Sequence, residues 1–128
     1  MIYLDTSVAL AHLLAEDRSP PESLWAQTLV SSRLLEYELW TRVHARSLIH
    51  SHGEYVRTLI GQVALLELAP PVLARALEPF PHPVRTLDAL HLASMEFLRA
   101  QGQPVQLASY DQRLLAAARD LNFDSVDL

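Results

Sequence analysis

Four acidic residues stand out because each lies at or near the start of a segment that is predicted to be a helix. They are Asp5, Glu38, Asp88 and Asp111, and they come from distant parts of the sequence. Carboxylate oxygens are the ligands that hard divalent cations such as Mg²⁺ and Mn²⁺ prefer. A bound ion makes water easier to deprotonate, and two ions can stabilise the attacking and leaving oxygens of a phosphodiester. These acids therefore point to metal-assisted hydrolysis of a phosphodiester.

Each acid also has an ordinary structural explanation. Acids in the first turn of a helix are stabilised by the helix dipole, typically by about 0.3–1 kcal/mol. Glu38 and Arg42 have the four-residue spacing of an ion pair on a helix surface. Ser109 and Gln112 have the spacing of a capping box, which makes Asp111 a favourable first-turn acid. The metal interpretation depends on whether the fold brings all four acids together.

Short apolar stretches alternate with amphipathic ones along the chain, which predicts an α/β domain built on a parallel sheet. In such a sheet the helix N-termini collect at the edge where the strands end, and ligands bind there. We therefore expect the four acids at one edge of the sheet. Predicted strands cover residues 2–4, 28–31, 63–68, 105–108 and 122–126, and predicted helices cover residues 8–16, 19–27, 32–48, 53–61, 70–79, 86–100 and 111–121.

The composition narrows the classes of protein that remain. The 128 residues fit a single domain, and half of them are hydrophobic, which is enough to bury a core. The chain has no cysteine, which excludes disulfides and thiolate zinc sites. All ten basic residues are arginine, so chemistry that needs a catalytic lysine is excluded. A net charge of −5 argues against a broad basic face, so RNA would be bound by a few arginines and by metal ions.

The N-terminal sequence lacks the basic and apolar regions of a signal peptide. No stretch is long and apolar enough to span a bilayer. We therefore expect a cytoplasmic protein with no membrane association.

Four local sequences resemble the motifs of PIN-domain proteins, especially the VapC-type toxins of toxin–antitoxin pairs. Residues 3–7 (YLDTS) resemble the opening motif, and residues 32–39 (SRLLEYEL) resemble the second. Residues 86–93 (TLDALHLA) give the most specific match, to the third motif. Residues 109–111 (SYD) resemble the fourth, with Ser109 where the family usually has threonine. The resemblance spans nearly the whole chain in the family's order.

The resemblance implies a three-layer α/β/α sandwich with a short-stranded parallel sheet. It also implies endoribonuclease activity that depends on Mg²⁺ or Mn²⁺, a homodimer, and inhibition by a small antitoxin protein. The four acids would then bind the metal and carry the catalysis, with Glu38 as the second acid. Glu36 competes for that position, but it points to a different side of the helix.

Several neighbouring residues have more than one interpretation. Thr6 and Ser109 carry hydroxyls that favour helix capping and that could also hold the carboxylates. Arg85 is either a phosphate contact or a solvent-exposed loop residue. His91 lies one turn after Asp88 and either orients it, contacts the substrate or packs as a structural histidine. The histidines near residue 50 do not make a zinc site, because no cysteine or matching histidine pair completes one.

Other functions remain open at this level. Hydrolases with an aspartyl nucleophile and receiver domains both require a lysine, which the chain lacks. The remaining alternatives are a PIN-domain nuclease that acts in RNA maturation or decay, and a catalytically silent PIN-like binding module. An adjacent reading frame that encodes an antitoxin would distinguish a toxin from these.

Overall fold

The structure is a computed structural model that describes residues 1–128. Its five strands form one parallel sheet with the order β3-β2-β1-β4-β5. Along the chain, β2 and β3 are added on one side of β1, and β4 and β5 are then added on its other side. The direction in which strands are added therefore reverses between β1 and β4. Ligands of such sheets bind at this reversal point. The strands are β1 (Ile2–Leu4), β2 (Leu29–Ser32), β3 (Val63–Leu66), β4 (Gln106–Ala108) and β5 (Asp124–Ser125).

Six α-helices and one short 3-10 helix connect the strands. The 3-10 helix lies at Glu22–Ala26, where the sequence predicted an α-helix. The predicted α/β alternation is confirmed, and most predicted elements lie within a few residues of the observed ones. The α-helices are α1 (Thr6–Leu13), α2 (Leu34–Ala45), α3 (Ile49–Gly61), α4 (Pro70–Ala76), α5 (Thr86–Ala100) and α6 (Gln112–Asp120).

Two hydrophobic cores lie on opposite faces of the sheet. Alternate residues of a strand point to opposite faces, so Ile2 and Leu4 enter one core while Tyr3 enters the other. Helices α1, α2 and α3 cover the first face. Helices α5 and α6 cover the second face, and α4 packs against α5. The three-layer α/β/α sandwich expected from the sequence is therefore confirmed.

The largest local difference concerns the predicted helix at residues 32–48. Ser32 remains in β2, where it pairs with Leu66 of β3, and its hydroxyl accepts a hydrogen bond from the Leu34 amide. Ser47 adopts a positive φ of 55° and separates α2 from α3. The next helix begins at Ile49 instead of residue 53, so Gly53 lies inside α3. The predicted start at Gly53 was therefore wrong.

Candidate functional site: an acid-lined cavity at the strand reversal

A cavity of about 360 Å³ opens at the carboxyl ends of the strands. Asp5 follows β1 and Asp111 follows β4, so both lie where the strand order reverses. Glu38 enters from α2 and Asp88 from the first turn of α5. The structure thus brings the four predicted acids to one cavity. Its other lining residues are Thr6, Ser7, Leu10, Arg42, Arg85, Thr86, Leu87 and His91.

A larger cavity of about 640 Å³ lies beside α4 and the start of α5. Most of its lining is apolar, including Leu73, Leu77 and Phe80, and none of the four acids lines it. It therefore lacks the groups needed for the chemistry that the acids indicate, and the acid-lined cavity is the better candidate site.

The Asp5 carboxylate is held by two hydroxyl groups. Ser7 Oγ donates to Asp5 Oδ2 over 2.6 Å, and Ser109 Oγ donates to the same oxygen over 2.8 Å. Asp5 stands in the N-cap position of α1 but makes no side-chain cap hydrogen bond. Its second oxygen accepts no protein hydrogen bond. The capping explanation therefore does not account for Asp5, and one of its oxygens is free to bind a ligand.

Glu38 is held from two directions. Thr6 Oγ1 donates to Glu38 Oε1 over 2.9 Å, and His91 Nε2 lies 2.7 Å from the same oxygen. No ion pair joins Glu38 to Arg42, so the surface-pair explanation does not apply. Glu36 pairs with Arg33 over 3.0 Å and does not line the cavity. Of the two competing acids, the structure places Glu38 in the site.

His91 belongs to a buried chain of hydrogen bonds. Its Nδ1 lies 2.7 Å from the hydroxyl of Tyr3, which also accepts a hydrogen bond from the Ser32 amide. The Tyr3 proton is then available to Nδ1, which assigns the histidine proton to Nε2 and makes His91 a donor to Glu38. Burial, opposed by hydrogen bonds, raises the pKa of Tyr3 far above its ordinary value, so Tyr3 stays neutral.

Arg85 bridges the other two acids. Its Nε donates to Asp88 Oδ2 over 2.8 Å, and its Nη2 donates to Asp111 Oδ2 over 2.5 Å. The other Asp111 oxygen accepts hydrogen bonds from the amides of Arg113 and Leu114, at 2.9 and 3.3 Å. Asp111 is therefore the N-cap of α6 as well as a member of the cavity. The predicted capping box of Ser109 and Gln112, with Asp111 in the first turn, was therefore wrong, because Asp111 itself is the cap.

The two bridged acids have opposite pKa shifts. Burial, reinforced by the charges of Asp111 and Asp5, raises the pKa of Asp88 despite the opposing effect of Arg85. Partial burial also raises the pKa of Asp111, but hydrogen bonds from Arg85 and the α6 amides outweigh it and leave the pKa lowered. The cavity therefore disfavours the ionised form of Asp88 and favours the ionised form of Asp111.

The four carboxylates share the cavity without closing around one point. No group of three or more acidic or histidine side chains is arranged to ligate a single ion. The oxygens that no protein donor occupies belong to Asp5, Glu38 and Asp88. A cation held here would be bound by one or two carboxylates and would keep several water ligands, as Mg²⁺ usually does.

The predicted supporting residues have specific contacts. Thr6 and Ser109 hold Glu38 and Asp5, and Ser109 Oγ also accepts the Asp111 amide over 2.9 Å. Arg85 contacts two acids. His91 is 1% exposed and bonds to Tyr3 and Glu38, which fits the alternative of a satisfied structural histidine, and its carboxylate partner is Glu38 instead of Asp88.

Two supporting residues were missed at the level of sequence. Ser7 donates to Asp5, and its Oγ accepts the Tyr110 amide over 3.0 Å. A serine two residues after an acid is a recurrent local hydrogen-bonding pattern, which was a usable signal. Tyr3 gave no comparable signal, because a tyrosine inside an apolar strand reads as core.

The fold and site define a class of α/β protein that carries an acidic cavity at the reversal point of a parallel sheet. Sequence comparison agrees with this class, since the family model described as "PIN domain" matches residues 2–120. The chain therefore belongs to the PIN domain family.

Two individual proteins add detail. The chain is 31% identical over 130 residues to a Mycobacterium tuberculosis (strain CDC 1551 / Oshkosh) protein named Ribonuclease VapC47, covering 96% of this chain and 93% of that protein. A chain of the solved "Toxin-antitoxin complex from Klebsiella pneumoniae" superposes with a TM-score of 0.69 over 94% of each chain. Its sequence identity is 14%, so this likeness concerns the fold.

No helix combines the length and apolar character needed to cross a membrane.

Proposed function

We propose that the chain is a metal-dependent endoribonuclease, and that it is the toxin of a type II toxin–antitoxin pair. The observation that carries this proposal is the convergence of Asp5, Glu38, Asp88 and Asp111 on one cavity. Membership of the PIN domain family and the relative named as a ribonuclease support it. Residues 1–128 would act as a single nuclease domain.

The donor set fits Mg²⁺ or Mn²⁺. All four candidate ligands are carboxylates, and the cavity offers neither thiolates nor a histidine pair that would favour zinc. The Arg85 guanidinium already lies between two of the acids, so this part of the cavity accommodates positive charge. When bound, such an ion supplies a water of lowered pKa and a positive charge opposite the scissile phosphate.

The chain's own residues orient the carboxylates for this task. Ser7 and Ser109 fix one oxygen of Asp5 and leave the other free. Thr6 and His91 do the same for Glu38. Because His91 is buried with both ring nitrogens engaged, we assign it a positioning role in place of the substrate contact considered from sequence.

Arginines of the cavity bind the RNA backbone in this proposal. Arg85 and Arg42 line the cavity beside the acids, and the Arg85 side chain is half exposed. A guanidinium matches the geometry of a phosphate group with two parallel hydrogen bonds. With so few basic groups, the affinity for RNA would depend on these contacts and on the metal.

The proposed partners are a cognate antitoxin and a second copy of the chain. Leu13 and Trp25 of the first helices are only partly buried against the core, so they could contribute to a dimer surface. The large apolar side chains that remain exposed include Leu77 at 89%, Leu87 at 45% and Leu73 at 42%. We propose that Leu73 and Leu77, which line the same apolar cavity, contribute to the dimer or antitoxin contact, and that the reaction occurs in the cytoplasm.

Cleavage of labelled single-stranded RNA tests the enzymatic part of the proposal. We expect cleavage with Mg²⁺ or Mn²⁺, none with chelator, and products that carry a 5′-phosphate and a 3′-hydroxyl. Products with a 2′,3′-cyclic phosphate would show that the RNA hydroxyl attacks, which contradicts a water nucleophile.

Expression in cells tests the toxin part. We expect growth arrest that co-expression of the antitoxin relieves. Nuclease activity without arrest would favour an enzyme of RNA maturation or decay, and the absence of any cleavage would favour a silent binding module.

A further inference from the structure

Arg85 binds two of the four carboxylates that line the proposed metal site. We propose that Arg85 is an internal counter-cation, which competes with the divalent ion for Asp88 and Asp111 and is displaced when the ion binds. This inference rests on the proposed function, because it concerns the same cavity and the same ion.

The hydrogen bonds of Asp111 restrict how an ion could reach this carboxylate. Asp111 Oδ1 is committed to the amides of Arg113 and Leu114 at the start of α6. Asp111 Oδ2 is committed to Arg85 Nη2. Every oxygen of this carboxylate is therefore occupied, and the Arg85 bond is the one that can be broken without uncapping α6.

Charge adds to this competition. A guanidinium and a divalent ion repel each other when both lie within a few ångströms in a partly buried cavity. Asp88 is 9% exposed, so its interactions are less screened than those of a surface pair. Binding of one cation next to Asp88 and Asp111 therefore disfavours the other.

The structure provides space for a displaced Arg85 side chain. It precedes α5, directly after the proline-rich turn at residues 79–83, and half of its side chain is exposed. Another cavity, of about 680 Å³, is also lined by Arg85 and Asp88, together with Arg113 and Asp120. A displaced Arg85 side chain would lie at the junction of the two cavities.

Arg42 provides a matched control. It lines the same cavity as Arg85, yet no hydrogen bond or ion pair joins it to any of the four acids. Removing its charge changes the general electrostatics of the cavity but breaks no bridge. The difference between the Arg85→Gln and Arg42→Gln variants therefore isolates the effect of the bridge.

Calorimetric titration of Mn²⁺, with no RNA present, tests the competition. We expect Arg85→Gln to bind Mn²⁺ roughly tenfold more tightly than wild type, a typical size for coupled binding. Arg42→Gln should gain clearly less. Arg85→Lys should lie between wild type and Arg85→Gln, because one ammonium cannot reproduce the two-pronged bridge. Equal or weaker binding by Arg85→Gln, or an equal gain in Arg42→Gln, would overturn the inference.

The Nε–H resonance of Arg85 reports on displacement in the wild-type protein. We expect it to shift as Mg²⁺ is added, with the same midpoint as metal binding, and an unchanged resonance at saturation would contradict displacement. These readouts need no RNA, so the outcomes separate. If wild type binds metal but Arg85→Gln binds it no more tightly, only this inference fails. If neither protein binds metal, the proposed metal site fails with it.

Discussion

The two sides of the acid-lined cavity hold their carboxylates by different means. Hydroxyls and an imidazole donate to Asp5 and Glu38, and each of these acids keeps one oxygen free of protein donors. A guanidinium donates to Asp88 and Asp111. A hydroxyl donor orients a carboxylate without cancelling its charge, whereas Arg85 does both. The first side, with Asp5 and Glu38, therefore has free carboxylate oxygens for a cation, whereas the second side, with Asp88 and Asp111, already binds the Arg85 guanidinium.

This difference assigns distinct roles to acids that look equivalent in the sequence. Asp5 makes no cap bond and Glu38 makes no surface ion pair, so neither acid has the ordinary structural role that its position suggested. Asp111 caps α6 and contributes to the fold. Substitutions should therefore separate activity from stability differently on the two sides.

The largest expected effect is on cleavage and comes from the first side. Glu38→Gln keeps the shape of the side chain but removes a charge from the cavity, so we expect RNA cleavage to fall by at least about 100-fold. Glu36→Gln is the matched control, because it removes a carboxylate from the same helix outside the cavity, and it should cleave like wild type. Similar activity of the two variants in a single-turnover assay would show that Glu38 is not part of the site.

A smaller effect is expected from the buried chain behind Glu38. Tyr3→Phe removes the hydroxyl that contacts the Ser32 amide and His91, and leaving buried groups unsatisfied costs about 1–3 kcal/mol. With His91 less well fixed, cleavage should also fall roughly tenfold. Urea unfolding and cleavage rates measure both effects.

Tyr55→Phe is the control for this substitution, since Tyr55 is 67% exposed and should tolerate the change. If Tyr3→Phe loses less stability than expected and cleaves RNA like wild type, the positioning role assigned to His91 is wrong.

The smallest effects concern the pH dependence of stability on the second side, measured with chelator present. The raised pKa of Asp88 means that its ionised form destabilises the folded protein. The contribution of Asp88 to stability is present below the ordinary aspartate pKa and is lost as the pH rises through its raised value. Asp88→Asn should therefore match or exceed the stability of wild type at neutral pH, and any gain should disappear in acid.

Asp111 should behave in the opposite way. Its pKa is lowered, so its contribution is present above the ordinary aspartate pKa and is lost as the pH falls through the lowered value. Asp111→Asn should lose about 0.5 kcal/mol at neutral pH, because asparagine still caps the helix but no longer pairs with Arg85. Unfolding curves across pH measure the stability of both variants. A change in stability of the same sign in both variants would contradict the distinction between the two acids.

Much of the fold was predictable because short apolar strands and amphipathic helices differ in period. The predicted helix at residues 86–100 matches α5, whose apolar face is long and regular. The predicted helix at residues 32–48 ran too far at both ends. Its start depends on the pairing of Ser32 with Leu66, and its end on a left-handed Ser47, neither of which a local apolar pattern reports.

The site also has a part that could be predicted from the sequence and a part that could not. The convergence of the acids followed from strand ends and helix starts, which a parallel sheet gathers at one edge. The Arg85–Asp88 bond has the three-residue spacing of a local pair. Contacts from Arg85 to Asp111 and from His91 to Glu38 join residues 26 and 53 positions apart. Only the assembled fold fixes such contacts.

Melting temperature with and without Mn²⁺ tests the central claim that these acids form a metal site. A ligand that binds only the folded state stabilises it by about 2.7 kcal/mol at a hundred times its dissociation constant, so wild type should melt at a higher temperature with Mn²⁺. Without metal, Asp5→Asn should melt at or above wild type, because one of several crowded charges is gone and no cap bond is lost. It should also lose most of the Mn²⁺ shift, whereas Glu36→Gln should keep it. A wild-type melting temperature that Mn²⁺ leaves unchanged, or an equal shift in Asp5→Asn and Glu36→Gln, would contradict the claim.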